Sequence, residues 1–128
     1  MITVTCAIIL NNDKILVAQR SERMKLPLKW EFPGGKLELG ESEVDCVIRE
    51  VREELGIEIE IIERLPNFIH DYESFVINLI PFISKYQSGN ILLKEHASFK
   101  WLTKDELITI DWAEADLPVV FELLNKEL

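Results

Sequence analysis

Apolar side chains crowd residues 2–10 and again 14–20, with Asn11, Asn12 and Asp13 between the two runs. Extended stretches rich in Ile, Val and Leu on either side of a short polar turn predict two strands. Trp30, Glu31, Phe32 and Pro33 make a short extended piece that runs into Gly34 and Gly35. Farther on, Ile57, Ile59 and Ile61 alternate with Glu58 and Glu60, the pattern of a strand with one wet face. Residues 75–84 are mostly apolar, and Pro81 predicts that this strand lies at an edge or stops there. A last strand is expected over 97–102.

Two segments carry the helical period instead. Within 42–55, Val44, Val47, Ile48, Val51 and Leu55 fall on one stripe, with Ser42 as N-cap and Gly56 as the C-terminal stop. The second helix is expected over 117–126, with Val119, Val120, Leu123 and Leu124 facing inward. Strands interleaved with two helices predict an α/β (α+β) sandwich around a mixed sheet. The 128 residues suit one domain, 1–128, and show no repeat, low-complexity tract or linker.

Charge narrows the partners. Lys and Arg number 14 against 23 Asp and Glu, a net charge of −9, which argues against a nucleic-acid polymer as partner. A small anionic substrate is compatible with such a surface only if a metal ion masks the repulsion. Two cysteines, Cys6 and Cys46, are too few for a disulfide scaffold and fit free thiols in a reducing compartment. The first apolar run lacks a basic leader and is too short for a signal peptide or membrane span. A cytoplasmic location with no membrane partner is therefore expected.

Chemistry concentrates after Gly34. On the first helix Glu50, Glu53 and Glu54 stand at i, i+3 and i+4 and share one face. Three such carboxylates repel one another unless a cation sits between them. Oxygen-only ligands suit a hard ion, and Mg²⁺ is usual where phosphates complete its shell. A solvated acidic face is the plainer alternative. Gly34 and Gly35 let the backbone approach a ligand, so a carbonyl there could join the shell. Arg49 either orients the cluster or is an ordinary exposed arginine.

Gly35, five residues, Glu41, seven residues, and then Arg49-Glu50-Val51-Arg52-Glu53-Glu54-Leu55-Gly56-Ile57 resembles the complete Nudix box, G-x5-E-x7-R-E-U-x-E-E-x-G-U with U apolar. Its seven fixed letters would arise by chance on the order of 10⁻⁹ times per start site at average residue usage. The resemblance implies a Nudix α/β/α sandwich with the box as loop–helix–loop. It also implies Mg²⁺- or Mn²⁺-dependent hydrolysis of a nucleoside diphosphate linked to another moiety. By motif position, Glu50, Glu53 and Glu54 would hold metal beside the Gly35 carbonyl. Glu41 would support them, Arg49 would aim them, and Glu50 or Glu95 would take the proton of the attacking water.

The likeness extends past the box. Trp30 to Lys36 resembles the entrance to the box in MutT-type nucleoside triphosphate pyrophosphohydrolases. Leu93-Lys94-Glu95-His96 resembles the segment that gives those enzymes a further acidic ligand, making Glu95 the candidate, with a surface loop acid as the alternative. His96, lacking a second histidine at ligand spacing, is expected at the surface or in packing. Residues 112–119 resemble the base-reading segment and look closest to the CTP pyrophosphohydrolase subgroup. Asp116 would then contact the base edge where MutT has asparagine.

An ionised aspartate only accepts, which suits a cytosine amine or the N–H groups of guanine. Asp116 would equally serve as N-cap before Leu117-Pro118. Tyr72 falls where an aromatic would stack on the base, and Arg20 matches a nucleotide-contacting arginine. The implied reaction turns a nucleoside triphosphate, CTP-type or an oxidised guanine nucleotide such as 8-oxo-dGTP, into monophosphate and pyrophosphate. The protein carrying it out is expected to be a monomer or homodimer. Other readings are a hydrolase of another nucleotide conjugate such as ADP-ribose, or a catalytically silent nucleotide sensor.

Overall fold

A computed structural model describes all 128 residues. In chain order its elements are β1 (Ile2–Asn11), β2 (Lys14–Gln19), β3 (Trp30–Glu31), β4 (Gly34–Lys36), α1 (Glu43–Leu55), β5 (Glu58–Arg64), β6 (Phe68–Asp71), β7 (Val76–Ser88), β8 (Ser98–Leu102) and α2 (Leu117–Leu124). Short 3-10 turns cover Lys104–Thr109 and Glu114–Asp116.

The first hairpin closes as its polar turn predicts. Leu10 faces Ile15 and Asn11 faces Lys14, leaving Asn12 and Asp13 as a two-residue loop with φ of 51° and 63°. Both left-handed positions are filled by residues that tolerate them, and such turns match the twist of the strands they join. The strands form one mixed sheet ordered β3-β2-β1-β7-β5, with β4 on β1, β6 on β7 and β8 on β2.

Alternation along the central strands builds two cores. Cys6 and Ile8 of β1, Ile15 and Val17 of β2, and Leu79 and Ile83 of β7 pack with Val119, Val120 and Leu123 of α2. Ala7, Ile9, Leu16, Ile80 and Phe82 point the other way, onto Val47, Val51 and Leu55 of α1. A sheet greasy on both faces needs a helix on each, and that requirement gives the α/β/α sandwich. The first helix has the caps its sequence predicts: Ser42 Oγ accepts from Asp45 N–H at 3.1 Å, and Gly56 sits at φ 71°.

Pro81 overturns one expectation. The strand neither stops there nor lies at an edge; β7 runs on to Ser88 between parallel β1 and antiparallel β5 and β6. Pro81 falls where the antiparallel neighbour changes: β6 pairs as far as Leu79 and β5 takes over at Phe82. The Pro81 carbonyl still accepts from Leu65 N–H at 2.9 Å. A missing donor costs little where the ladder is already interrupted. Strand β6 was not foreseen, and no helix is long and apolar enough to cross a membrane.

Candidate active site

β4 is only three residues long, but it sets the geometry of the site. It pairs with β1 so that Cys6 faces Gly34 and Thr5 faces Gly35. A Cβ on Gly34 would lie 2.0 Å from the Thr5 carbonyl oxygen and 2.6 Å from Cys6 Cα, so only glycine permits the pairing. A Cβ on Gly35 would instead lie 2.2 Å from Glu50 Oε2. Its absence is the space into which the Glu50 carboxylate settles on the backbone. Gly34 N–H donates to Glu54 Oε1 at 3.1 Å. Beneath Gly35, Thr5 Oγ1 donates to its carbonyl at 3.4 Å, and Cys46 Sγ lies 3.7 Å from the same oxygen.

Arg49 organises the acids. Its Nε and Nη2 donate to both oxygens of Glu41 at 2.6 and 2.9 Å, and its Nη1 donates to Glu50 at 2.9 Å and Glu53 at 3.1 Å. The bidentate guanidinium holds the Glu41 carboxyl down to about 2. Glu50 is pushed up, chiefly by burial, although Arg49 opposes the shift. Glu54 is more extreme: burial first, then the charges of Glu31, Glu50 and Glu95, push it up to about 9 against the usual 4.5.

These groups edge a cavity of about 770 Å³. Gly34, Gly35, Glu50, Glu54 and Glu95 line it, together with Arg20, Tyr72, Phe75 and Asp116. Glu95 is carried there by a segment tied to the end of α1, where Leu92 N–H donates to the Leu55 carbonyl at 2.9 Å and Lys94 N–H to that of Glu54 at 3.3 Å. Glu53 differs from its two partners. Its side chain is 60% exposed and does not line the cavity, so the shared helix face divides into two inward acids and one outward. Glu41 and Arg49 likewise stand behind the cavity, as a support.

No three His, Cys, Asp or Glu side chains converge closely enough to hold an ion in this arrangement, in which Arg49 engages Glu50 and Glu53. The donor set nevertheless fits a hard divalent cation. It is all oxygen, Glu50 lies in the space a Cβ at position 35 would fill, and Glu54 is buried among like charges with no cation beside it.

Also in the lining, Tyr72 and Phe75 stack with ring centroids 5.0 Å apart at 27°, and the Tyr72 hydroxyl accepts from Ala115 N–H at 2.8 Å. Asp116 occupies the N-cap position of α2 but does not cap it with its side chain. It is helical itself (φ −85°, ψ −19°), its side chain makes no cap bond, and Oδ2 accepts from Phe32 N–H at 2.9 Å. The preceding 3-10 turn already starts the helix, which removes the need for a cap. Burial first, then the charge of Glu31, hold the Asp116 carboxyl well above the usual carboxylate range. A carboxyl group that keeps its proton donates as well as accepts, which widens the range of base edges it can meet.

His96 is not at the surface either. Its side chain is fully buried, and Nε2 donates to Glu31 at 2.8 Å. Glu31 went unassigned at the sequence level, although an acid inside an otherwise apolar extended piece was the available signal.

Fold and site together define a Nudix hydrolase. Residues 1–123 match the NUDIX domain, and the chain belongs to the Nudix hydrolase family, whose members act on nucleotide substrates with divalent metal ions. It is 35% identical over 120 residues to the CTP pyrophosphohydrolase of Escherichia coli K12, covering 94% of this chain and 89% of that one. It is 29% identical over 112 residues to the 8-oxo-dGTP diphosphatase of the same organism, covering 88% of this chain and 87% of that one. The solution structure of the MutT protein of methicillin-resistant Staphylococcus aureus 252 aligns with a TM-score of 0.78 and 40% identity, over 98% of this chain and 97% of that chain.

The two adjacent glycines should respond differently to alanine. Gly34→Ala meets backbone and should lose about 1–3 kcal/mol or more of stability by urea unfolding. Gly35→Ala meets only the movable end of Glu50; it should keep its urea midpoint while turnover falls roughly a hundredfold.

Glu54 should make metal-free stability depend on pH. Below its usual value of 4.5 it is protonated folded or unfolded; between 4.5 and about 9 only the folded chain keeps the proton. Stability therefore falls as pH rises through that window. Glu54→Gln should melt higher than wild type at pH 8 in chelator, with the gap closing by pH 4. An equal gap at both pH values would mean that Glu54 is not a buried acid.

Proposed function

We propose that this protein hydrolyses nucleoside triphosphates to monophosphate and pyrophosphate, with CTP-type and oxidised guanine nucleotides such as 8-oxo-dGTP as the candidate substrates. One observation carries the reading: a single cavity is lined both by inward acids on a glycine-backed shelf and by stacked aromatic rings with a buried polar residue. The first suits a phosphate chain and the second a base. The named relatives act on substrates of this kind.

Glu50, Glu54, Glu95 and the Gly35 carbonyl, joined by Glu53 from outside the cavity, would hold Mg²⁺ or Mn²⁺, which would neutralise the phosphates and acidify a water. Glu50 or Glu95 takes the proton of the water that adds across the anhydride. Arg49 is a positioning residue, bound to Glu50 on one side and to Glu41 on the other. Tyr72 presents its ring, its hydroxyl being engaged with Ala115. Asp116 offers the base edge the oxygen that Phe32 leaves free. A net charge of −9 disfavours a nucleic-acid polymer in this cavity. The free, buried Cys6 and Cys46 fit the reducing cytoplasm, where these nucleotides are found.

The test is product identity across CTP, dCTP, dGTP and 8-oxo-dGTP, read by phosphorus NMR with Mg²⁺ or with excess chelator. Monophosphate and pyrophosphate should appear only with the cation. Diphosphate and orthophosphate, or full turnover in chelator, would overturn the reading. In the same panel Asp116→Leu should reorder the substrates; a uniform loss would take Asp116 out of base recognition.

A further inference from the structure

Arg20 reaches the cavity with two of its three guanidinium nitrogens already engaged. Nε donates to the Lys25 carbonyl at 2.6 Å and Nη1 to Glu31 Oε1 at 2.7 Å. Nη2 has no protein partner and is not sealed from solvent, because the only buried side-chain nitrogen or oxygen left unpaired is Nδ1 of His96. A guanidinium fixed along one edge and open along the other is a pre-oriented donor.

What fixes it is less obvious. Glu31 is mostly buried, with 15% of its side chain exposed, and its charge helps push up both Glu54 and Asp116. A carboxylate set among other acids needs donors on both oxygens. Arg20 supplies one, and His96 Nε2 supplies the other at 2.8 Å. His96 is held in turn by its own segment: Ala97 N–H donates to the Gln19 carbonyl at 2.9 Å, one residue before Arg20. The chain is thus closed from β2 through Arg20, Glu31 and His96 back to β2.

We propose that Glu31 and His96 are positioning residues that lock the Arg20 guanidinium with its free edge toward the nucleotide. This rests on the reading that the cavity binds a nucleotide. His96 is buried and apart from the cavity, so it acts on substrate only through Glu31. The same array places Glu95 next to a fixed residue, but the hydrogen bonds run to Arg20, and the effect therefore belongs to nucleotide binding more than to turnover.

The experiment compares wild type, His96→Ala, His96→Gln, Glu31→Gln and Arg20→Ala, with melting curves to confirm folding. His96→Ala should raise KM for the best triphosphate about tenfold, the cost of one charge-assisted hydrogen bond, with kcat within about twofold. His96→Gln, which keeps an N–H at a similar reach, should recover most of that. In an Arg20→Ala background the His96→Ala change should add almost nothing. A second readout needs no substrate: the Arg20 guanidinium nitrogens should give slow-rotation NMR signals in wild type and His96→Gln, but averaged ones in His96→Ala and Glu31→Gln.

Unaltered Arg20 signals, a loss confined to kcat, or full additivity with Arg20→Ala would each overturn the proposal. If the wild type hydrolyses no triphosphate, the functional reading fails, while the Arg20 signals still decide whether the array positions that side chain. Should His96→Ala not fold, Glu31→Gln carries the same comparison.

Discussion

The site depends on how closely a helix carrying acids can approach a strand carrying no side chains. β4 gives α1 two bare residues, and two carboxylates settle there: Glu50 over Gly35 and Glu54 on the N–H of Gly34. Nothing bulkier fits, because the shelf is itself pinned to β1 at Thr5 and Cys6. The core stripe of Val47, Val51 and Leu55 sets the depth of the helix, and that depth buries Glu54. Packing and function are coupled here because residue 54 adjoins the innermost turn of the stripe.

Burying like charges costs free energy, and the structure contains only part of the compensation. Arg49 offsets part of the charge by spanning Glu41, Glu50 and Glu53. It makes no bond to Glu54, whose one hydrogen-bond partner is a neutral amide. Asp116 is buried with one donor, the Phe32 amide, and the half-buried Glu31 is held by two, Arg20 and His96. Among the acids lining the cavity, burial works against the charge of Glu54 and Asp116, while Glu31 is paired with Arg20 and His96. An anionic substrate can enter such a space with a cation, and perturbed carboxylates gathered in one cleft are what phosphoryl chemistry uses.

Much of this was legible in the sequence. Alternation in β1 and β2 and the stripe of α1 required two buried faces, and the box grouped Gly35, Glu50, Glu53 and Glu54, of which all but Glu53 line one cavity. Other features were hidden for physical reasons. Pro81 reads as a strand terminator unless one knows that two partners meet opposite it. The outward turn of Glu53 depends on where Arg49 lies, which helical spacing alone does not fix. Asp116 before Leu117-Pro118 has the pattern of a cap, and only the 3-10 turn upstream frees it to bind Phe32. The burial of His96 follows from a long-range contact with Glu31, 65 positions away in the chain, and no local pattern carries it.

Burial and like charges favour the protonated form of Glu54, and a divalent cation bound at its carboxylate would displace that proton. Calorimetric titration of Mg²⁺ into the protein at pH 7, repeated in buffers of different ionisation enthalpy, counts the protons released. The account predicts release approaching about one proton per ion bound, abolished in Glu54→Gln together with most of the affinity. Binding without proton release, or undiminished binding by Glu54→Gln, would contradict it.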